Sequence, residues 1–439
     1  MNLVRLSALL LSAALCTAAC QSKTPETNTT GIPGPTDPTL LIPGMWHGEL
    51  AAQGQQIPFL FEAKNEGGKL VVYLINKGLN GEERLRCPEV TQAGDSMTVR
   101  LHVFDAALVL RQNPANTDLM GTWVKYDAKT PYRVPLTVAQ ILTSDGASNP
   151  YQTAKKDKPA GRFDGNWRAT FTDEEGKSYP TVGLFKESAE GLAGTFLTST
   201  GDYRYLSGVA DAEQDGYFKV TTFDGNHAFL FTALKQPDGT LKGDFYSGKS
   251  GHETWTAVKD DNAKLPDANA LTGMKPGQKR LDFKFPNIYA GGSISPTDPK
   301  YKGKVVVVQI LGSWCPNCMD ETNFLAPWYE KNKGRGVEII GLGYERSPDQ
   351  KKASERLVKM RERLNVGYDM AIAGVSNKDS ASKSLPQLAQ VLAFPTTIFL
   401  DKKGEVRKIH TGFSGPGTGK YYQQEITEFN QTIDKLLQE

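Results

Sequence analysis

Two cysteines in this chain have the type and spacing to do chemistry: Cys315 and Cys318, which enclose Pro316 and Asn317. They follow a continuous apolar run, Val305 to Leu311, and the triplet Gly312-Ser313-Trp314. The run reads as a strand buried on both faces, and the segment after it, with Phe324 to Lys331 at its centre, reads as a helix. A cysteine at a helix N-terminus meets unpaired backbone N–H groups and the positive end of the helix dipole, which favours its thiolate. A second cysteine three residues on lies one turn inward, where it can attack a mixed disulfide formed on the first. The pattern predicts Cys315 as nucleophile and Cys318 as resolving thiol, with their own redox-active disulfide as the only cofactor. Pro316 suits the first helical turn, where its missing N–H would be unpaired anyway. Half of a zinc site is a blander reading, but Cys20, Cys87 and a single histidine in this part of the chain, His410, are poor company for it, so no metal is expected. A static disulfide is another, although a three-residue spacing at a helix start staples little.

The elements that must hold this pair can be read on both sides of it. Val337 to Leu342 is a second buried strand, and Asp349 to Leu364 is a charged amphipathic helix with Ser347 as its expected cap and Pro348 in its first turn. Thr396 to Leu400 and Glu405 to Ile409 flank Lys402-Lys403-Gly404 as a hairpin, and Tyr422 to Leu437 closes as a helix. Together they predict an α/β sandwich. Upstream, from Pro43 to about Asp260, the texture is different. Ile57 to Ala63, Leu70 to Ile75, Met97 to Phe104 and Ala107 to Arg111 are short strand-like runs, separated by turns such as Glu66-Gly67-Gly68 and Leu79-Asn80-Gly81. Gly44-Met45-Trp46, Phe104-Asp105 and Leu119 to Trp123 are answered by Gly165-Asn166-Trp167, Phe223-Asp224 and Leu241 to Phe245, each roughly 120 residues later, which argues for a duplication. The Gly-x-Trp openings resemble those of lipocalin-like barrels. Trp46 and Trp167 are expected in the core, and Cys87 as a small buried hydrophobe.

The chain has 439 residues, 39% hydrophobic and 23% charged, with a formal net charge of +2. That is a multidomain globular composition with no basic run interleaved with aromatics, so nucleic acid is not an expected partner. Five cysteines are too few to staple an exported chain of this length. At the start, Arg5 and the apolar stretch Leu6 to Leu15 precede Thr17-Ala18-Ala19-Cys20. The stretch is too short to span a bilayer. Small residues before a cysteine resemble the lipobox of bacterial lipoproteins, with Thr17 standing where that pattern has leucine. Cys20 is therefore the expected lipidation site. Residues 1–20 read as a lipoprotein signal peptide, 21–43 as a flexible tether, 44–140 as β-rich repeat 1 and 141–164 as a linker. Residues 165–258 read as β-rich repeat 2, 259–278 as a second linker and 279–439 as the α/β domain. The expected location is the cell envelope, periplasm-facing, and the absence of aspartate after Cys20 points to the outer membrane.

Residues 279–439 resemble thioredoxin-like proteins of the TlpA type, thiol–disulfide reductases exported by bacteria. The likeness rests on Trp314-Cys315-x-x-Cys318, on Glu321 three residues later, and on Phe394-Pro395-Thr396-Thr397 ahead of a strand. Phe285-Pro286-Asn287 and Tyr301-Lys302-Gly303-Lys304, leading into the first strand, complete it. The expected fold class is thus multidomain: a duplicated all-β (barrel or sandwich) N-terminal region followed by an α/β thioredoxin-like C-terminal domain. The resemblance implies that Pro395 is a cis-proline packed against the pair and that Glu321 is a buried carboxylate that tunes the thiols and accepts a proton. Trp314, Phe394 and Thr396 become substrate-binding neighbours. It implies disulfide-containing proteins as substrates, a membrane thiol electron donor, and contact with the membrane through the lipid anchor. Two other readings remain. A thiol peroxidase shares this fold, but its reactive cysteine follows a Pro-x-x-x-[Thr/Ser]-x-x pattern that Gly312-Ser313-Trp314 does not match. A binding or scaffold lipoprotein would place the main role in the β-region.

Overall fold

Alternating burial builds the first half of the molecule. In the computed structural model, which describes residues 40–141, 162–210, 214–289 and 291–439, the strand Gly44–Ala52 buries Trp46, Gly48, Leu50 and Ala52 and turns the residues between them outward. The expected leader, Cys20, most of the tether and most of the 141–164 linker lie outside the described residues. Nine strands follow in an antiparallel sheet: β1 (Gly44–Ala52), β2 (Gln55–Glu66), β3 (Lys69–Gly78), β4 (Gly81–Cys87), β5 (Val90–Ala93), β6 (Ser96–Arg100), β7 (Ala106–Gln112), β8 (Leu119–Lys125) and β9 (Tyr132–Gln140). Their order is β4-β3-β2-β1-β9-β8-β7-β6-β5, an up-and-down sheet whose two edges are β4 and β5.

The second half repeats the plan with β10 (Gly165–Asp173), β11 (Ser178–Ser188), β12 (Gly191–Thr198), β13 (Gly201–Asp202), β14 (Leu206–Ala210), β15 (Tyr217–Phe223), β16 (Ala228–Lys235), β17 (Leu241–Ser247) and β18 (Gly251–Lys259). Here β11 pairs with both β10 and β12, so the sheet closes into a barrel. The duplication extends to single hydrogen bonds. The buried indole of Trp46 donates to the Ile42 carbonyl at 3.1 Å, and that of Trp167 donates to the Phe163 carbonyl at 2.8 Å. Aromatic side chains fill the barrel: Phe171, Phe196, Phe231, Phe245 and Trp255 stack and edge against one another, with Phe231 and Phe245 at 4.3 Å. Its interior is a packed core. Met97 to Phe104 is strand only to Arg100; Leu101 to Phe104 turns the chain into β7, and the Phe104 N–H closes back on the Leu101 carbonyl.

The C-terminal segment adds a short hairpin, β19 (Phe285–Pro286) and β20 (Ser293–Ile294), and then β21 (Val305–Leu311), α1 (Pro316–Asn332), β22 (Val337–Glu345), α2 (Gln350–Arg363), β23 (Asp369–Val375), α3 (Lys378–Ser384), β24 (Thr396–Leu400), β25 (Val406–Thr411) and α4 (Lys420–Gln438). The sheet order is β23-β22-β21-β24-β25, parallel across β21, β22 and β23 and antiparallel beyond. Because strand side chains alternate faces, Val305 and Val307 join one core with Leu325, Leu357 and Ile433. Val306 and Val308 join the opposite core with Ala381 and Leu385. The cap of α2 is Asp349, whose carboxylate accepts the Lys352 N–H at 3.0 Å. Ser347 caps the preceding turn instead, accepting the Asp349 N–H, because Pro348 starts that turn and the helix begins only at Gln350. The thioredoxin-like segment and both β-halves form one compact unit, Leu40–Glu439.

Candidate active site

The apolar strand β21 delivers Gly312 to Trp314 to the top of the sheet, where α1 begins. Cys315 is the helix cap: its backbone is extended and its sulfur accepts the Cys318 N–H at 3.2 Å. The Cys315 thiol donates to the Phe394 carbonyl at 3.3 Å, and the Phe394–Pro395 peptide bond is cis. Both cysteines are free thiols; Cys315 is 6% exposed and Cys318 wholly buried. Burial pushes the Cys318 thiol well above the ordinary range, and its hydrogen bond with Cys315 adds to this.

Trp314 lies beside the pair, its indole donating to the Tyr344 carbonyl at 2.8 Å and its ring edge-on to Phe394 at 5.5 Å. The Arg346 guanidinium lies 5.1 Å from the indole centre. Thr396 is buried, and its hydroxyl donates to the Ala393 carbonyl, which ties down the loop that carries Phe394. Ser313 is held from below by Glu345, which accepts its N–H at 2.8 Å and its hydroxyl at 2.7 Å. One turn past Cys318, Glu321 is 3% exposed and accepts from Gln309 Nε2 at 2.8 Å and from the Thr397 hydroxyl. Burial raises the Glu321 carboxyl to about 7, against the pull of those hydrogen bonds and of His410. Neither its environment nor the histidine that tempers it is visible along the chain. His410 lies opposite Thr397 across the β24–β25 ladder and pairs with Glu425 of α4 at 2.7 Å.

The barrel contributes a set of residues that sequence reasoning missed. Arg204 reaches Asp320, two residues beyond Cys318, with Nε at 2.8 Å and Nη2 at 2.7 Å. Asn226 Nδ2 donates to the Trp314 carbonyl at 2.7 Å, and Asn317 Nδ2 donates to the Asp202 carbonyl at 3.2 Å. The Asp202 carboxylate also accepts the Gly415 N–H at 2.7 Å. The turn from Thr200 to Asp202 is pressed against the segment so closely that a Cβ on Gly201 would lie 2.0 Å from the Asn317 amide, and one on Gly412 2.7 Å from the Thr200 backbone. Glycine at both places permits the approach and the positive φ. In the sequence, Thr198 to Arg204 reads as a polar turn, and nothing local marks it as a partner of a helix more than a hundred residues away. Among the described residues no cluster of histidine, cysteine or carboxylates is arranged to hold a metal.

A central sheet of this order, with a C-x-x-C pair at the first helix and the Phe394–Pro395 loop against it, defines a thioredoxin-superfamily domain. Residues 275–425 match the family Redoxin, and this C-terminal segment is a TlpA-like member of the superfamily. It is similar to the thiol-disulfide oxidoreductase ResA of Geobacillus kaustophilus, 30% identical over 112 residues, which is 26% of this chain and 57% of that protein. It is also similar to the thiol:disulfide interchange protein DsbE of Escherichia coli K12, 23% identical over 165 residues, 38% of this chain and 79% of that protein. The chain thus spans a little over half the length of the ResA relatives it matches. A solved thiol-disulfide oxidoreductase from Bacteroides fragilis superposes over 35% of this chain and 99% of its own, at 19% identity and a TM-score of 0.26.

Proposed function

We propose that this protein is a thiol–disulfide oxidoreductase of the cell envelope, acting as a reductase of protein disulfides. The observation that carries the reading is the Cys315 sulfur at the cap of α1, accepting the Cys318 N–H, with Cys318 buried directly behind it. The Cys315 thiolate attacks one sulfur of a substrate disulfide, forming a mixed disulfide and expelling the first substrate thiolate. Cys318 then gives its proton to the Glu321 carboxylate and attacks the Cys315 sulfur, releasing the second substrate thiol. Two electrons pass to the substrate, and the protein is left with a Cys315–Cys318 disulfide. A membrane-bound dithiol donor returns it to the dithiol. The lipobox-like start and Cys20 support attachment to a membrane surface. Trp314, Phe394 and Thr396 frame the approach of the substrate, and the barrel holds the redox turn in place through Arg204, Asn226 and Asp202.

The test is a pair of variants. Cys315→Ser should abolish reduction of a disulfide substrate, while Cys318→Ser should accumulate mixed disulfides that reducing gels resolve. Equal turnover by both variants would sink the proposal.

A further inference from the structure

The Cys315 sulfur faces a cleft of about 570 Å³ between two walls. One wall is the thioredoxin-like segment, with Trp314, Phe394 and the exposed Lys378. The other is the mouth of the barrel, with Tyr179, Tyr203 and Phe229. Clefts of roughly 300–1,000 Å³ take a ligand of drug-like bulk, comparable with a few residues of extended chain. A folded partner would instead need about 800 Å² of docking surface around the reacting sulfur. That surface is not open here. The turn from Thr200 to Asp202 occupies the flank between Asn317 and Gly412, with contacts too close to admit even a methyl group. Gly415, on the same flank, is tied to Asp202.

The lining narrows the choice further. The charged groups at the floor of the cleft are already paired: Arg204 with Asp320, and Asp224 with His227 at 3.4 Å. Two exposed lysines, Lys177 and Lys378, also line the cleft, and its apolar lining is largely aromatic. The His227 ring stacks on Phe229 at 4.7 Å, and Phe229 meets Tyr203 at 5.5 Å. Such a wall is complementary to apolar side chains, which native proteins bury and unfolded chains expose. We infer that the disulfide this site takes is a cystine in an extended, non-native polypeptide segment with an apolar side chain beside the cysteine, and not a disulfide on the face of a folded domain. The inference rests on the exchange reading above and makes the β-barrel the element that selects the substrate.

The experiment mixes the full chain, reduced beforehand, with four oxidants and follows formation of the Cys315–Cys318 disulfide by thiol alkylation and mass. The oxidants are two flexible peptides that each carry a cystine, one flanked by phenylalanine and one by serine, glutathione disulfide, and a folded protein with a solvent-exposed disulfide. The phenylalanine peptide should react fastest, about tenfold ahead of the serine peptide, the discrimination expected of a single apolar contact. Phe229→Ala should remove that preference by slowing the phenylalanine peptide to the rate of the serine peptide, and a urea midpoint equal to the parent's shows that the variant is folded. A folded protein that reacts as fast as the peptides overturns the inference, as does a Phe229→Ala variant that keeps the preference. Glutathione disulfide outpacing both peptides would assign the cleft to a small acidic disulfide and equally overturn it. If none of the four oxidises the pair, the exchange reading itself fails.

Discussion

The Arg204 guanidinium, on the barrel, grips both carboxylate oxygens of Asp320, which lies two residues beyond Cys318 on the helix that Cys315 caps. Both side chains are nearly sealed from solvent, at 5% and 4% exposure. Glu83 of the first sheet and Asp224 share the same cation, so one arginine ties three parts of the chain together. A buried ion pair of this kind contributes little against an apolar substitute, yet breaking it strands a charge.

Arg204→Met should therefore lower stability by about 3–5 kcal/mol near neutral pH, the usual cost of removing one member of a buried pair. Urea unfolding gives the number. Combining it with Asp320→Leu should recover part of the loss, because one stranded carboxylate disappears. An Arg204→Met midpoint equal to that of the parent would show that the pair is not buried as described.

Stability should also depend on pH around this cluster. Burial, with the neighbouring Asp320 charge, raises the Asp202 carboxyl from its ordinary 3.8 to about 7. Glu83 shifts in the same direction, again chiefly by burial. The folded state therefore holds these protons when the unfolded chain has lost them. Their contribution is complete at acid pH and declines as pH rises toward about 7. Asp224 behaves in the opposite sense: burial alone would raise it, but His227 and Arg204 override this and hold it at about 2. Its contribution is present above the ordinary aspartate value and is lost as pH falls toward about 2. Thermal midpoints should rise on mild acidification from neutral and fall again in strong acid. Asp202→Asn should flatten the neutral limb and leave the acid limb intact.

Cys87 offers a cleaner chemical check. It is wholly buried at the end of β4, its sulfur accepts the His102 N–H at 3.2 Å, and burial raises its thiol to about 11. An alkylating reagent applied to the reduced native protein should label the Cys315 peptide and leave the Cys87 peptide unmodified until denaturant is added. Labelling of both at similar rates would contradict the packing of the first sheet.

What was legible in the sequence was local. The apolar run into Gly312-Ser313-Trp314 and the C-x-x-C spacing place Cys315 at a helix start, and that geometry is a short-range consequence of β21 and α1. The duplication could be read because equivalent strands open on similar residues, as Leu119 and Leu241 do. Closure could not. Whether the second sheet becomes a barrel depends on β11 pairing with β12 as well as β10, and both alternatives satisfy the same alternation. β23 and α3 escaped notice because Asp369 to Val375 and Lys378 to Ser384 are rich in alanine, glycine and serine rather than β-branched or long apolar residues. The barrel's share of the site was invisible because Asp202 and Arg204 read as solvated charges in a turn, and only the folded chain brings them to Asp320. His410 could be weighed only as a stray metal ligand; its actual neighbours, Glu425 and Thr397, come from another helix and another strand.

The last prediction concerns that histidine. His410 Nε2 meets Glu425 at 2.7 Å and Nδ1 meets Asn269 Oδ1 at 2.9 Å. The Asn269 amide nitrogen is engaged by Asp267, which leaves its oxygen toward the ring. Two acceptors facing the two ring nitrogens favour the imidazolium form of His410. Burial would lower it, and the pairing with Glu425 overrides burial and raises it. That positive charge opposes the effect of burial on Glu321, which lies at about 7. If Glu321 takes the Cys318 proton, resolution of the mixed disulfide should slow as pH falls below about 7, because a protonated carboxyl cannot accept. Glu321→Gln should remove this limb and slow resolution by about a hundredfold. His410→Gln should keep the limb but move it to higher pH, since burial of Glu321 is then less opposed. The decay of a mixed disulfide on Cys315, followed across pH in the parent and both variants, gives all three outcomes. A limb that stays put in His410→Gln would mean the imidazolium does not reach Glu321, whereas one that persists in Glu321→Gln would assign the proton to another group.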